Sequence, residues 1–264
     1  MAQRLCHRHW HCVGIIMPRF KLTIEYDGTG LAGWQRQIEH VSVQAYLEVA
    51  IEKLSGTPVD IIAAGRTDAG VHALAQVVHA DIVKDITPYN VMHGINYHLI
   101  PLTKQVIVTK AELVSDEFHA RFSATRRSYF YRIINRSARL ALDENRAWHI
   151  PETLDAGAMH KAAQILVGHH DFTTFRSSAC QSKSPVKTLE KLDVVRFENE
   201  IHIHTASRSF LHHQVRNMVG ALRLIGNKKW LEADLQQAMA AKDRSSGGET
   251  APAQGLYLVE VSYT

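Results

Sequence analysis

The sequence predicts an α+β fold in two ferredoxin-like (split βαβ) halves, with antiparallel sheets meeting at a central cleft. Three observations lead there. Apolar and polar residues alternate in several short runs, the period of a half-buried strand, while other runs carry apolar residues at the spacing of a helix face. The two kinds of run follow the order β-α-β-β-α-β, which is the split βαβ arrangement. That order then occurs a second time, and ligand clefts favour the junction between two such units.

The first half begins with "RFKLTIEY", where Phe20, Leu22, Ile24 and Tyr26 alternate with polar residues. Ser42 is placed to cap a helix whose apolar stripe is Val43, Leu47, Ala50 and Leu54. Two strands follow, "VDIIAAG" and "LAQVVHADI", then a helix opening at Pro88 and a closing strand "QVIVTKAELV". In the second half "RRSYFYRII" is a strand and residues 151–168 a helix. "LEKLDVVRFENEIHIHTAS" reads as two strands joined at Glu198-Asn199-Glu200, and residues 211–226 as a helix with Leu211, Val215, Met218, Leu222 and Ile225 on one face. "GLYLVEVSY" ends the chain, after a polar, Gly/Ser-rich loop over residues 243–254. The expected division is a half over residues 17–117 and a half over residues 118–264.

Bulk properties agree with a globular chain. It has 264 residues, 45% hydrophobic and 21% charged, enough to bury a sizeable core. No apolar run approaches the ~20 residues of a membrane helix. The net charge of +4 and pI near 8.9 suit a phosphate or nucleic-acid partner without requiring one. Cys6, Cys12 and Cys180 form no disulfide framework, which points to a reducing, cytoplasmic setting. Residues 1–16, "MAQRLCHRHWHCVGII", differ from the rest: no acid, three histidines and two of the cysteines. A Cys/His metal tract and a signal peptide are both readings of this segment; a non-native or frayed extension upstream of a start at Met17 is the preferred one. Two of the excess positive charges, Arg4 and Arg8, lie there.

The chemistry is sought in three places. "AAGRTDAGVHALAQ" holds a single carboxylate, Asp68, among Gly65, Ala69 and Gly70, on a loop between two strands. Small residues let another backbone or a ligand approach. A neighbouring guanidinium, such as Arg66, keeps a carboxylate ionised, and an ionised, partly desolvated carboxylate is a nucleophile or base. The second place is "EFHARFSATRRSYFYRIINRSAR". Arg121, Arg126, Arg127, Arg132, Arg136 and Arg139 are interleaved with Phe118, Phe122, Tyr129, Phe130 and Tyr131. That mixture suits RNA, with guanidinium groups on phosphates and rings on unpaired bases. Strand alternation puts Tyr129 and Tyr131 on one face, Phe130 and Arg132 on the other. The third is the helix over residues 211–226, where Arg216 is flanked by His212, His213 and Asn217. The pairs His212-His213 and His202-x-His204 raise a metal as a question. No HExxH, Cys-x-x-Cys, zinc-deaminase, Walker or GxGxxG pattern is present, so neither a catalytic metal nor a nucleotide cofactor is expected.

Six segments then resemble one family. "AAGRTDAGVHALAQVVH", "LTIEYDGTGLAGWQRQ", "FHARFSATRRSYFY", "DFTTFRSSACQSKSPVKTL", "SFLHHQVRNMVG" and "APAQGLYLVEVSY" are similar, in family order, to the motifs of the tRNA pseudouridine synthases that act on the anticodon stem-loop. The match runs from about residue 18 to the C-terminus. Residues 1–16 have no counterpart in it.

The resemblance implies a reaction and a set of roles. A uridine on the 3′ side of the anticodon stem-loop is flipped from the RNA, its N-glycosidic bond breaks, the uracil turns over and a C–C bond forms through C5. Asp68 is the implied essential carboxylate. It either attacks the ribose C1′, as a retaining glycosidase carboxylate does, or removes the C2′ proton to give a glycal. Tyr129 is implied to stack on the base and share in proton transfer, and Arg216 to pair with Asp68 from the other half. Arg66 is implied to enter the RNA stack rather than to pair with Asp68, and Leu256 to pack on the uracil. Phe118, His119, Ala120, Arg121, Phe122, Arg176 and Gln181 would lie along the RNA path. The resemblance further implies tRNA as partner, a homodimer, no cofactor and no metal. The rival reading is a non-catalytic tRNA-binding or RNA-folding module, resting on the 118–139 cluster alone. A metal-dependent RNA hydrolase, resting on the histidine pairs, is a third.

Overall fold

The structure is a computed structural model that describes residues 18–263; the expected extension over residues 1–16 and the start at Met17 lie outside the described residues. The first half contains β1 (Arg19–Tyr26), α1 (Val43–Ser55), β2 (Ile62–Ala63), β3 (His72–Asp81), α2 (Pro88–Leu99) and β4 (Val106–Val114). The second contains β5 (Ala124–Ile134), β6 (Trp148–His149), α3 (Ala156–Ala163), β7 (Gly168–Asp171), β8 (Val186–Phe197), β9 (Glu200–Ser207), α4 (Gln214–Gly226), α5 (Glu232–Ala241) and β10 (Leu256–Tyr263). The α+β class follows directly. Among the described residues no helix is long and apolar enough to cross a membrane.

The local signals act as expected in the first half. Ser42 Oγ accepts the Ala45 N–H and starts α1. Thr87 Oγ1 accepts the Asn90 N–H, with Pro88 in the first turn of α2. Val43, Leu47, Ala50 and Ile51 of α1 are buried on Phe20, Leu22 and Ile24 of β1.

The sheets depart from expectation. Instead of two antiparallel sheets there is one ten-stranded sheet, whose main path runs β4-β1-β3-β10-β5-β9-β8-β7. The junction is a parallel pairing of β10 with β3, Tyr257 opposite His72 and Leu258 opposite Ala73. The expected strand over residues 59–65 shortens to β2, paired at Ile62 and Ala63 on the same edge of β3 that β10 joins further along. Since β3 and β10 run parallel, the loops that precede them lie side by side at one end of the sheet.

The helices of the second half are also shorter than their apolar patterns. Asn135 holds residues 150–154 in a turn, donating to the carbonyls of Ile150 and Glu152 and accepting from the Leu154 N–H. The Asp155 side chain then caps α3 by accepting the Ala158 N–H, so the helix starts five residues after Pro151. It ends in a 3₁₀ turn over Gln164–Leu166, and Gly168 opens a strand. The helix expected from residue 211 begins at Gln214, because His213 has φ 62°, a left-handed conformation that no α-helix continues through.

Candidate active site

Asp68 stands on the loop between β2 and β3, at the end of the sheet where β3 and β10 begin. The backbone around it is tightly held. Thr67 is buried, its hydroxyl 2.7 Å from Tyr26 Oη, and its carbonyl accepts the Trp34 N–H at 3.1 Å. Gly33 has φ 92°, and a Cβ there would lie 2.6 Å from the Thr67 carbonyl oxygen, so the chain passes close only as glycine. On the other side, a Cβ on Gly65 would meet nothing within 4 Å. The smallness of Gly65 is therefore not demanded by packing and leaves one flank of the loop open.

The carboxylate meets α4. Arg216 Nη1 donates to Asp68 Oδ2 at 3.0 Å, and Arg216 Nε donates to the Ala251 carbonyl at 2.8 Å. Two imidazoles close on the same carboxylate: His212 Nε2 is 3.2 Å from Oδ1 and His213 Nε2 3.3 Å from Oδ2. Burial lowers the pKa of His213, opposed by the Asp68 charge, so a neutral ring is favoured. Asp68 is thus not paired with Arg66, which is exposed and makes no ion pair or hydrogen bond with its side chain among the described residues.

Tyr129 reaches the site from β5. It packs edge-on against Phe210 at 5.2 Å and is half-buried. Burial pushes its phenol up to about 12, with the Asp68 charge as a further cause, so the group stays protonated beside the carboxylate. Leu256, the first residue of β10, is buried opposite Tyr131.

The segment before β5 forms an exposed ridge. His119 stacks on Phe122 at 4.3 Å, Arg121 lies over the same ring at 5.5 Å, and Phe122 is 70% exposed. Ala120 is buried, its N–H donated to His79 Nδ1 and its carbonyl accepting from Tyr263 Oη. Phe118 packs at 4.9 Å on Tyr263. Arg176 is half-buried and Gln181 exposed, on a loop whose Ser177 N–H donates to the His212 carbonyl.

The arginine cluster divides on inspection. Arg127 is buried, and its guanidinium donates to the carbonyls of Ala64, Arg121, Ala124 and Arg208. It ties the start of the Asp68 loop to the Phe122 ridge and to the approach to α4. Arg132 is held by Glu200 and Asp143. Neither is free to bind phosphate. Arg127 lies two residues before Tyr129 on a strand, and that period-two spacing is the signal that places it on the covered face.

The loop over residues 243–254 also has a part in the site. Arg244 donates to Asn217 Oδ1, Thr250 Oγ1 and the Gly248 carbonyl, and the Ala251 N–H donates to the Arg216 carbonyl. The loop thereby clamps α4 and presents the carbonyl that orients Arg216. Read as a polar connector, it gave no such signal in sequence.

As a metal site the geometry is mixed. Asp68, His212 and His213 offer one ligand atom each within 4.8 Å of one another. Arg216 already supplies the opposing charge at the same carboxylate, which disfavours a divalent ion there. His202, of the other pair, is bound to Glu200.

Known proteins give an independent comparison. A family model described as tRNA pseudouridine synthase matches residues 22–123 and 162–264. Curated relatives called tRNA pseudouridine synthase A are similar over nearly the whole chain. That of Paramagnetospirillum magneticum is 57% identical, covering 94% of this chain and 96% of its own. Those of Mesorhizobium japonicum and Maricaulis maris are 53% and 55% identical, each over 94% of this chain and 100% and 98% of their own.

Proposed function

The chain belongs to the tRNA pseudouridine synthase family, and from that premise we propose that it isomerises uridines to pseudouridine on the 3′ side of the tRNA anticodon stem-loop. The observation that carries the reading is Asp68, rigidly mounted on a loop with an open flank and paired with Arg216 from the other half.

The chemistry asks little beyond these residues. The N1–C1′ bond breaks, the uracil turns, and a C5–C1′ bond forms; the proton leaves C5 and N1 gains one. No electrons are exchanged, so no redox cofactor is called for. Asp68 acts at the ribose, through C1′ or through the C2′ proton, and Arg216 holds the carboxylate with the opposing charge. Tyr129, still a phenol, lies under the base and takes part in moving its proton. Leu256 forms the apolar floor on which the uracil turns. Arg66, exposed and without a side-chain partner among the described residues, fills the gap left in the RNA stack. The ridge of Phe118, His119, Ala120, Arg121 and Phe122, with Arg176 and Gln181, carries the stem-loop.

We read the halves over residues 17–117 and 118–264 as two ferredoxin-like units. The strand order β10-β5-β9-β8 supports this for the second and β4-β1-β3, with the short β2 beside it, for the first. The active unit is a cytoplasmic homodimer on this reading. The test uses unmodified tRNA carrying tritium at uridine C5. Release of tritium is expected, and binding without release would replace the enzyme by an RNA-binding module.

A further inference from the structure

The backbone at His213 is unusual for where it sits. Among the described residues, five that are not glycine have positive φ: Asn145, Glu198, His213, Lys228 and Lys242. Four of them are exposed in turns, where strain is readily absorbed. His213 alone is half-buried, at the entrance of α4, with no side-chain cap on that helix. Glycine or asparagine would take this conformation at lower cost. A histidine held there is explained by what its ring touches.

The ring touches the carboxylate. The two oxygens of Asp68 are not equivalent. Oδ2 faces both Arg216 Nη1 at 3.0 Å and His213 Nε2 at 3.3 Å. Among the described residues Oδ1 faces only His212 Nε2, at 3.2 Å, and His212 is the more exposed of the two histidines. The left-handed turn brings consecutive rings 4.0 Å apart, one to each oxygen. The charged groups around His213 are Asp68, His212, Arg216 and Arg244.

We propose that His213 is a positioning residue: with Arg216 it anchors Oδ2 of Asp68 and so presents Oδ1 as the oxygen that acts on the ribose. This rests on the reading of Asp68 as the essential carboxylate. Without His213 the carboxylate is held by Arg216 on Oδ2 and by the more exposed His212 on Oδ1, and it turns about the Arg216 contact as His212 moves. A second contact on the same oxygen fixes the plane, and orientation of this kind governs rate more than binding.

Three substitutions separate ring from backbone. His213→Gln keeps an N–H near the place of Nε2 but bears the left-handed strain. His213→Asn and His213→Gly relieve the strain but do not reach Asp68. Tritium release is measured with saturating tRNA, alongside KM and Tm. Gln is expected to retain activity within about threefold, while Asn and Gly lose about tenfold or more in kcat with KM little changed. Stability is expected in the reverse order, Asn and Gly at or above Gln. Asn or Gly as active as wild type, or Gln as impaired as they are, overturns the inference. Wild-type protein without tritium release, or an active Asp68→Asn variant, instead overturns the reading of the site on which it rests.

Discussion

Arg216 and Asp68 lie 148 residues apart and meet at 3.0 Å, with the other arm of the guanidinium on the Ala251 carbonyl. The arginine therefore does two things at once, charge and direction. Asp68→Asn is expected to abolish tritium release while tRNA binding stays within a few-fold. Arg216→Lys keeps the charge but not the planar fork, and is expected to lose about tenfold or more in kcat. A lysine variant with wild-type kcat would show that only charge matters.

Arg127 makes a second, different prediction. Four carbonyls depend on its guanidinium, and burial lowers its pKa. Arg127→Met leaves those carbonyls unpaired, for a loss of roughly 2–4 kcal/mol measured by denaturant unfolding. The salt dependence of tRNA binding is expected to be unchanged. Arg66→Ala should do the opposite: unaltered stability, weaker binding, and a salt slope reduced by about one. Exchange of these two outcomes would return Arg127 to the RNA surface.

These two arginines show how far the sequence could be read. Strand alternation correctly separated Tyr129 from Phe130, since a period of two is a local property of the chain. Carried two residues further back, it reaches Arg127. The pairing of Asp68 with Arg216 was legible only through resemblance, because no local rule joins residues so distant. The single sheet was not legible at all. It depends on β10 lying beside β3, and patterning within each strand is the same whether the neighbour belongs to its own half or the other. The short α3 and late α4 have a common cause. Apolar spacing marks which residues are covered, while Asn135, Asp155 and the left-handed His213 decide where a helix starts.

A chelator tests the histidine pair. Asp68, His212 and His213 form a geometric ligand set, but Arg216 occupies the electrostatic role a cation would take. Activity is expected to be unaffected by EDTA, and metal analysis of active protein to show less than stoichiometric metal. Activity lost in chelator and restored by a divalent ion would assign the cluster to catalysis by metal.

Acid gives the last prediction, through the ridge that precedes β5. His79 Nδ1 accepts the Ala120 N–H, which it does only unprotonated at that nitrogen. Burial, with Arg19 and His119 nearby, lowers its pKa to about 4 from 6.5. In the unfolded chain the ring binds a proton at higher pH than in the folded one, so stability rises with pH across this window. It is fully present above about pH 6.5 and is lost as the pH falls toward 4. Protonation also frees the Ala120 N–H and loosens Phe118 to Phe122. Wild-type Tm is expected to fall more between about pH 7 and pH 5 than that of His79→Asn, whose amide oxygen can replace Nδ1 as acceptor without titrating. Weakened tRNA binding is expected only as the pH approaches 4, where the folded ring itself takes up the proton, and not in the variant. Parallel pH profiles for the two proteins would remove His79 as the group that ties the ridge to the sheet.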